Sequence, residues 1–242
     1  MHCNPGDSGV EAGGSLGVVL LGAGESRRMG GIDKLFASLD GTPVLAHSLG
    51  VFASFPGVCQ IALVLSETLM DQGRELLASR GWEQLATVCR GGTRRQDSVK
   101  AGLEALTPCD WVAVHDGARP LIDHRILRCG WETARETGAA VCAVPAKDTI
   151  KLVDPEGMVT ETPPRERLWQ VQTPQIFRYE LLADAHRRAQ ETFTDDASMV
   201  ESLGGTVKVF QGSYHNIKIT TPEDLLVAEV LAHNPPSRVV ST

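Results

Sequence analysis

The chain has 242 residues, 26.0 kDa and 42% hydrophobic content, enough to bury a substantial core as one α/β domain. A formal net charge of -7 and a pI near 5.5 argue against general nucleic-acid binding, which requires a basic face. No apolar run approaches the roughly 18 residues of a membrane span.

Residues 1–15 are polar and glycine-rich, without the charged start and apolar middle of a signal peptide. They read as a disordered tail on a cytoplasmic protein, with 16–233 as the folded domain and 234–242 as a second, flexible tail. Leu16 to Leu21 is a short apolar run that suits a strand buried on both faces. It empties into GAGESRRMGGIDK, where Gly22 and Gly24 let backbone N–H groups approach an anion and Arg27, Arg28 and Lys34 add positive charge. The loop is neither a Walker A loop, having no Gly-Lys-Ser/Thr, nor a dinucleotide fingerprint, because the third glycine is missing. Glycine turns after strands are common, so this loop alone does not separate a triphosphate cradle from an ordinary turn.

Thr42-Pro43 reads as an N-cap and first-turn proline, followed by Leu45, Leu49 and Phe52 at helical spacing. Ile61 to Leu65, Ala86 to Cys89, Trp111 to His115 and Ala139 to Val144 are further candidate strands, alternating with helical patterns. Asp97 is expected to cap a helix bearing Val99, Leu103 and Leu106; Asp123 caps one through Ile126, Leu127 and Ala134; Thr221-Pro222 opens the last, with Leu225 to Leu231. Such alternation predicts a mostly parallel twisted sheet with helices on both faces. From Thr149 to Thr162 the alternation breaks: two β-prone arms flank Asp154-Pro155-Glu156-Gly157, a turn sequence. The arms have little core of their own, so this β-hairpin, within an arm spanning about 146–165, is expected to lean on a partner subunit.

Six widely spaced cysteines, without Cys-x-x-Cys or zinc spacing, read as reduced thiols. Four more clusters fall at loop positions: GGTRRQDS from Gly91, HDGARP from His115, RERLWQVQTPQ from Arg165, and His215 to Lys218. In open α/β sheets such clusters converge at the carboxyl ends of strands. Arg94 and Arg95 read as solvated charge, Asp195-Asp196 as a helix cap, and His115 receives no role.

Taken together, GAGESRRM with Lys34, GGTRRQDS, HDGARP, KDTIK, LWQVQTPQIF, TDDAS and NIKITTPEDL resemble, in order, the 2-C-methyl-D-erythritol 4-phosphate cytidylyltransferase family. The resemblance implies a Rossmann-like nucleotidyltransferase fold, a protruding β-arm that interlocks a homodimer, and transfer of CMP from CTP to a polyol phosphate with release of pyrophosphate. It implies that Gly22, Ala23, Gly24, Arg28 and Lys34 wrap the triphosphate, and that Gly92 and Ser98 face cytosine. Asp116, Arg119, Thr149, Arg165, Thr173 and Lys218 match positions that hold the sugar phosphate or reach the reacting centre, with Arg28, Lys34 and Lys218 as the catalytic cations. Magnesium is expected as a cofactor chelated chiefly by the CTP phosphates, with no protein ligand assigned. Many relatives carry proline before the loop lysine, where this chain has Asp33. Two alternatives stand beside this reading: a ribitol 5-phosphate cytidylyltransferase, which shares the nucleotide blocks, and a nucleotide-binding module without catalysis.

Overall fold

The computed structural model describes residues 14–24 and 33–234. Arg27 and Arg28, the tail through residue 13 and the segment from 235 onward lie outside the described residues. The chain runs β1 (Leu16–Gly22), β2 (Ser38–Leu39), β3 (Thr42–Pro43), α1 (Val44–Ala53), β4 (Val58–Leu65), α2 (Met70–Arg80), β5 (Ala86–Arg90), α3 (Arg95–Ala105), β6 (Trp111–Asp116), α4 (His124–Thr137) and β7 (Ala139–Pro145). There follow β8 (Leu152–Val153), β9 (Val159–Glu161), β10 (Trp169–Arg178), α5 (Tyr179–Arg188), α6 (Asp196–Ser202), β11 (Lys208–Gln211) and α7 (Pro222–His233). Ser15 already belongs to the folded unit, its N–H and hydroxyl donating to Asp110 at 2.7 and 2.8 Å.

Seven strands form one sheet in the order β11-β7-β10-β6-β1-β4-β5. All neighbours are parallel except β10, which runs against both β6 and β7. The period of two along each strand divides the core between the two faces. Leu16, Val18 and Leu20 of β1 pack with Leu45, Leu49 and Phe52 of α1 and Ile126 and Trp131 of α4. Val19 joins the opposite layer, with Val99 and Leu103 of α3, Leu182 of α5 and Met199 of α6. The sheet is thus covered on both sides, and β1 is apolar along its whole length because neither face meets water.

Helix starts differ in detail from the expectation. Thr42 and Pro43 pair with Ser38 and Leu39 as a small antiparallel hairpin, so α1 starts at Val44 with Pro43 as its cap. Arg94, not Asp97, caps α3; Asp97 is the third helical residue and closes a capping box back onto Arg94. Asp123 caps α4 through Ile126 N–H at 2.8 Å, and Thr221 caps α7 with Asp224 in a capping box.

The arm is a hairpin: β8 and β9 pair only with each other. Ile150, Leu152, Val153, Met158 and Val159 are all exposed, Met158 by 67%. Strand β10 is an addition to the strands expected from sequence. Pro174, which has no N–H to offer a ladder, sits where its pairing with β7 breaks between Val171 and Gln175. Among the described residues no helix is long and apolar enough to cross a membrane. Among the described residues no disulfide forms, and burial raises the thiols of Cys89 and Cys109 to about 11 and that of Cys142 to about 12.

Candidate active site

The strands β1, β4, β5 and β6 all end at one edge, on either side of the point where the connections reverse direction, and a cleft of about 600 Å³ opens there. Gly22, Ala23 and Gly24 leave β1, Gly91 and Gly92 leave β5, Asp116 ends β6, and Lys218 arrives from the segment after β11. The first two loops are pressed together. A Cβ on Gly91 would sit 2.3 Å from that of Ala23 and 2.8 Å from Ser98 Oγ, so only glycine permits this approach. Ser98, at the first turn of α3, is buried; its hydroxyl accepts from Gly92 N–H at 3.2 Å and thereby shapes the loop. Lys34 lines the same cleft from a turn in which Asp33 Oδ1 accepts from Leu35 N–H at 2.8 Å. That side-chain cap organises the turn that delivers Lys34.

Asp116 is the centre of charge. Its Oδ2 lies 2.8 Å from Lys218 Nζ and 3.8 Å from Arg119 Nε, and its Oδ1 lies 4.0 Å from Arg95 Nε. Burial pushes the carboxyl up, but Lys218, Arg95 and Arg119 outweigh it and hold the group at about 2. Behind it runs a defined hydrogen-bond chain. Asp116 N–H donates to Thr173 Oγ1 at 3.0 Å, Thr173 pairs with His115 Nδ1 at 3.1 Å, and His115 Nε2 meets the Arg119 carbonyl at 3.2 Å. A carbonyl can only accept, so Nε2 carries the proton and Thr173 donates to Nδ1. His115 is fully buried, and burial lowers it to about 4, which keeps the ring neutral. It is a structural strut. Arg119 in turn donates to the Asn216 carbonyl at 2.6 Å, which fixes the loop that delivers Lys218.

The structure therefore gathers Gly22, Ala23, Gly24, Lys34, Gly92, Ser98, Asp116 and Lys218 around one cleft, with Arg119 and Thr173 directly behind Asp116. It leaves Thr149 and Arg165 exposed at the base of the arm, where Arg165 Nη1 donates to the Lys147 carbonyl at 3.0 Å. Arg28 lies outside the described residues.

Two readings of the basic and acidic pairs change. Arg94 is solvated as expected, 51% exposed and bound to Asp97. Arg95 is not: its side chain is 29% exposed, lines the cleft and bonds the buried Asp196 at 2.6 Å. Asp195 does cap α6 through Ser198 N–H, whereas Asp196 is 1% exposed and is committed to Arg95 and His186. A signal for Arg95 was present: Ser98 and Val99 stand three and four residues on, placing Arg95 on the buried stripe of α3.

Comparison with known proteins decides the family. The model of "IspD: 2-C-methyl-D-erythritol 4-phosphate cytidylyltransferase" matches residues 16–234. The chain belongs to the 2-C-methyl-D-erythritol 4-phosphate cytidylyltransferase family. A cytidylyltransferase of that name from Dehalococcoides mccartyi is 53% identical over 216 residues, covering 89% of this chain and 95% of the relative. Another from Halalkalibacterium halodurans is 46% identical, covering 88% and 95%. Among solved structures, the 4-diphosphocytidyl-2C-methyl-D-erythritol synthase of Anaerococcus prevotii is 28% identical with a TM-score of 0.82, covering 90% of this chain and 98% of that one. The cytidylyltransferase of Thermus thermophilus is 32% identical with a TM-score of 0.72, covering 89% and 98%. As a member of this family the chain is a nucleotidyltransferase of isoprenoid biosynthesis, and its sheet architecture is the family's.

Proposed function

We propose that the cleft transfers CMP from CTP to 2-C-methyl-D-erythritol 4-phosphate, giving 4-diphosphocytidyl-2-C-methyl-D-erythritol and pyrophosphate. The observation that carries the mechanism is the ionised, buried Asp116 held among Lys218, Arg95 and Arg119 at the foot of the glycine loop. Of the residues lining the cleft, Lys34, Arg90, Arg94, Arg95 and Lys218 are cationic against Glu67 and Asp116, in a chain whose net charge is -7. That local surplus suits a site where two anions must meet.

The acceptor's phosphate monoester has a second pKa of about 6 and is mostly dianionic at neutral pH, so it needs no general base. Its oxygen attacks the α-phosphorus in line, a new P–O bond forms, the α–β P–O bond breaks, and pyrophosphate leaves with the electron pair. Catalysis is then positioning and charge neutralisation, by Lys34, Lys218 and Arg28, rather than proton transfer. Gly22, Ala23 and Gly24 offer backbone donors to the triphosphate, and the Gly92 loop shaped by Ser98 reads cytosine. Asp116 accepts from the sugar hydroxyls, while Thr173 and Arg119 act through it.

Among the described residues no cluster of three or more His, Cys, Asp or Glu could hold a metal, and the one buried carboxylate lining the cleft is already bonded to Lys218. This donor set would suit a Mg2+ that arrives on the nucleotide, held chiefly by the phosphates and keeping several waters. When bound, the ion neutralises charge on the triphosphate. The exposed apolar arm supports a homodimer in which each subunit's Thr149 and Arg165 serve the partner's acceptor site. The reaction is that of a cytoplasmic enzyme, acting on small molecules and not on nucleic acid or membrane.

The test is pyrophosphate release by the purified chain with CTP and magnesium, offered either acceptor. Methylerythritol phosphate should turn over and ribitol 5-phosphate far more slowly; the reverse preference would refute the acceptor assignment. Tight CTP binding without turnover would favour a binding module. Mixing Lys34→Ala and Arg165→Ala chains should restore part of the activity if sites are shared between subunits, and no recovery would place each site in one chain.

A further inference from the structure

From the cleft a second polar cluster runs inward, of which the proposed chemistry uses only the field of Arg95: Arg95 at the start of α3, Asp196 at the start of α6 and His186 near the end of α5. Arg95 Nη1 donates to Asp196 Oδ2 at 2.6 Å, and His186 Nε2 meets Asp196 Oδ1 at 3.3 Å. The side chains of Asp196 and His186 are 1% and 2% exposed, so neither can swing out to water. The helix that carries Asp196 is itself pinned. Gln175 of β10 donates to Asp195 Oδ2 at 2.8 Å and accepts from Ala197 N–H at 3.2 Å.

The spacing on the other side of Arg95 is informative. Lys218 and Arg119 both face Asp116 Oδ2, whereas the cation facing Oδ1 is Arg95. At 4.0 Å, Arg95 Nε is too far for a hydrogen bond yet close enough to act through its field. Among the described residues no donor comes within hydrogen-bonding distance of Oδ1, which keeps its lone pairs for a hydroxyl while the carboxylate remains ionised. An arginine in a partly buried cleft would ordinarily close onto a carboxylate in a forked pair. What stops it is the stronger contact to Asp196 at its other side. The guanidinium even leaves Nη2 buried without a hydrogen-bond partner, so its pose is not the one that satisfies most of its own donors.

We propose that Arg95 is a positioning residue for the acceptor: restrained by Asp196, it aims Asp116 at the sugar hydroxyls without occupying the oxygen that receives them. The inference rests on the acceptor role proposed for Asp116, which the acceptor KM of Asp116→Asn tests by itself. With Asp196→Asn the restraint weakens, Arg95 closes onto Asp116, and Oδ1 is lost to the acceptor.

The experiment is steady-state kinetics with CTP and methylerythritol phosphate on Asp196→Asn, Arg95→Gln, Arg95→Lys and the double variant Arg95→Gln/Asp196→Asn, each checked for folding by circular dichroism. Asp196→Asn should raise the KM of the acceptor roughly tenfold while the KM of CTP stays within about twofold. In the Arg95→Gln background the same change should add nothing, because no guanidinium remains to be released. Arg95→Lys, which keeps the charge, should recover part of what Arg95→Gln loses. A bridge that only joins α3 to α6 would lower stability without this split between substrates. Equal rises in both KM values, additive effects in the double variant, or an unchanged acceptor KM would overturn the proposal. Should Asp196→Asn not fold, Arg95→Gln and Arg95→Lys still decide: both matching wild type in acceptor KM would overturn it.

Discussion

Replacing Asp116 by asparagine removes the negative charge from the middle of a cationic cluster and changes almost nothing in shape. The carboxyl is held at about 2 against an ordinary value of 3.8, and each pH unit is worth about 1.4 kcal/mol, which gives roughly 2.5 kcal/mol. Lys218 is 40% exposed and its share is screened by solvent, so the figure to expect is about 2 kcal/mol at neutral pH. For a chain of this size that corresponds to a drop in Tm of roughly 4–8 °C. The sign follows from the depressed carboxyl: its stabilisation is present above pH 3.8 and is lost as pH falls through about 2. The gap between wild type and Asp116→Asn in urea or thermal unfolding, in phosphate-free buffer, should therefore shrink to about half by pH 3. Added pyrophosphate should stabilise the variant more than the wild type, because it supplies the missing anion. A gap that stays constant from pH 7 to pH 3, or a variant more stable than wild type at pH 7, would refute the electrostatic account of this site.

Three further outcomes are expected. Lys34→Ala should lower kcat roughly a hundredfold or more with a milder loss of CTP affinity, as measured by initial rates and equilibrium binding; equal losses would remove Lys34 from the transition state. Thr173→Val leaves the Asp116 N–H and His115 Nδ1 without partners in a buried place, so it should cost about 1–3 kcal/mol in unfolding and raise the acceptor KM more than that of CTP. Val153→Asp with Val159→Asp puts charge on the exposed apolar arm and should convert a dimer to monomers in sedimentation with little change in Tm, whereas an unaltered sedimentation coefficient would remove the arm from the interface.

Much of this architecture was legible in the chain itself. Central strands such as Leu16–Gly22 declare themselves because both faces are covered, leaving runs of apolar residues with turn glycines behind them. The hairpin around Asp154-Pro155-Glu156-Gly157 was equally plain, since its turn chemistry is local. Strand β10 was not, because a proline and five polar residues in WQVQTPQIFR disguise a strand whose register breaks in the middle. Helix starts were displaced by a few residues where tertiary pairing overrode local preference: Thr42 is drawn into a two-stranded ladder instead of capping α1. In the site, the glycine loop could be named from residue types and Asp116 and Lys218 from the family resemblance, but the depth of Arg95 could not be read from its pairing with Arg94. Arg94 is the extended cap residue and Arg95 the first residue of the helix, so one arginine faces water and its neighbour the interior. The partners that make Arg95 informative, Asp196 and His186, lie about a hundred residues away and come together only through α5 and α6.

The reversed direction of β10 has a wider consequence. Because β7 leaves the sheet and β10 enters it at the same rim as the cleft, the arm is spliced into a single opening of the scaffold, with its root where Pro145 pairs with Trp169 and its strands in solvent. Insertions or deletions in that splice would leave every rung of the seven-stranded ladder untouched while changing how far the arm projects. The length of the arm is thus adjustable on its own, independently of the sheet that carries the cleft.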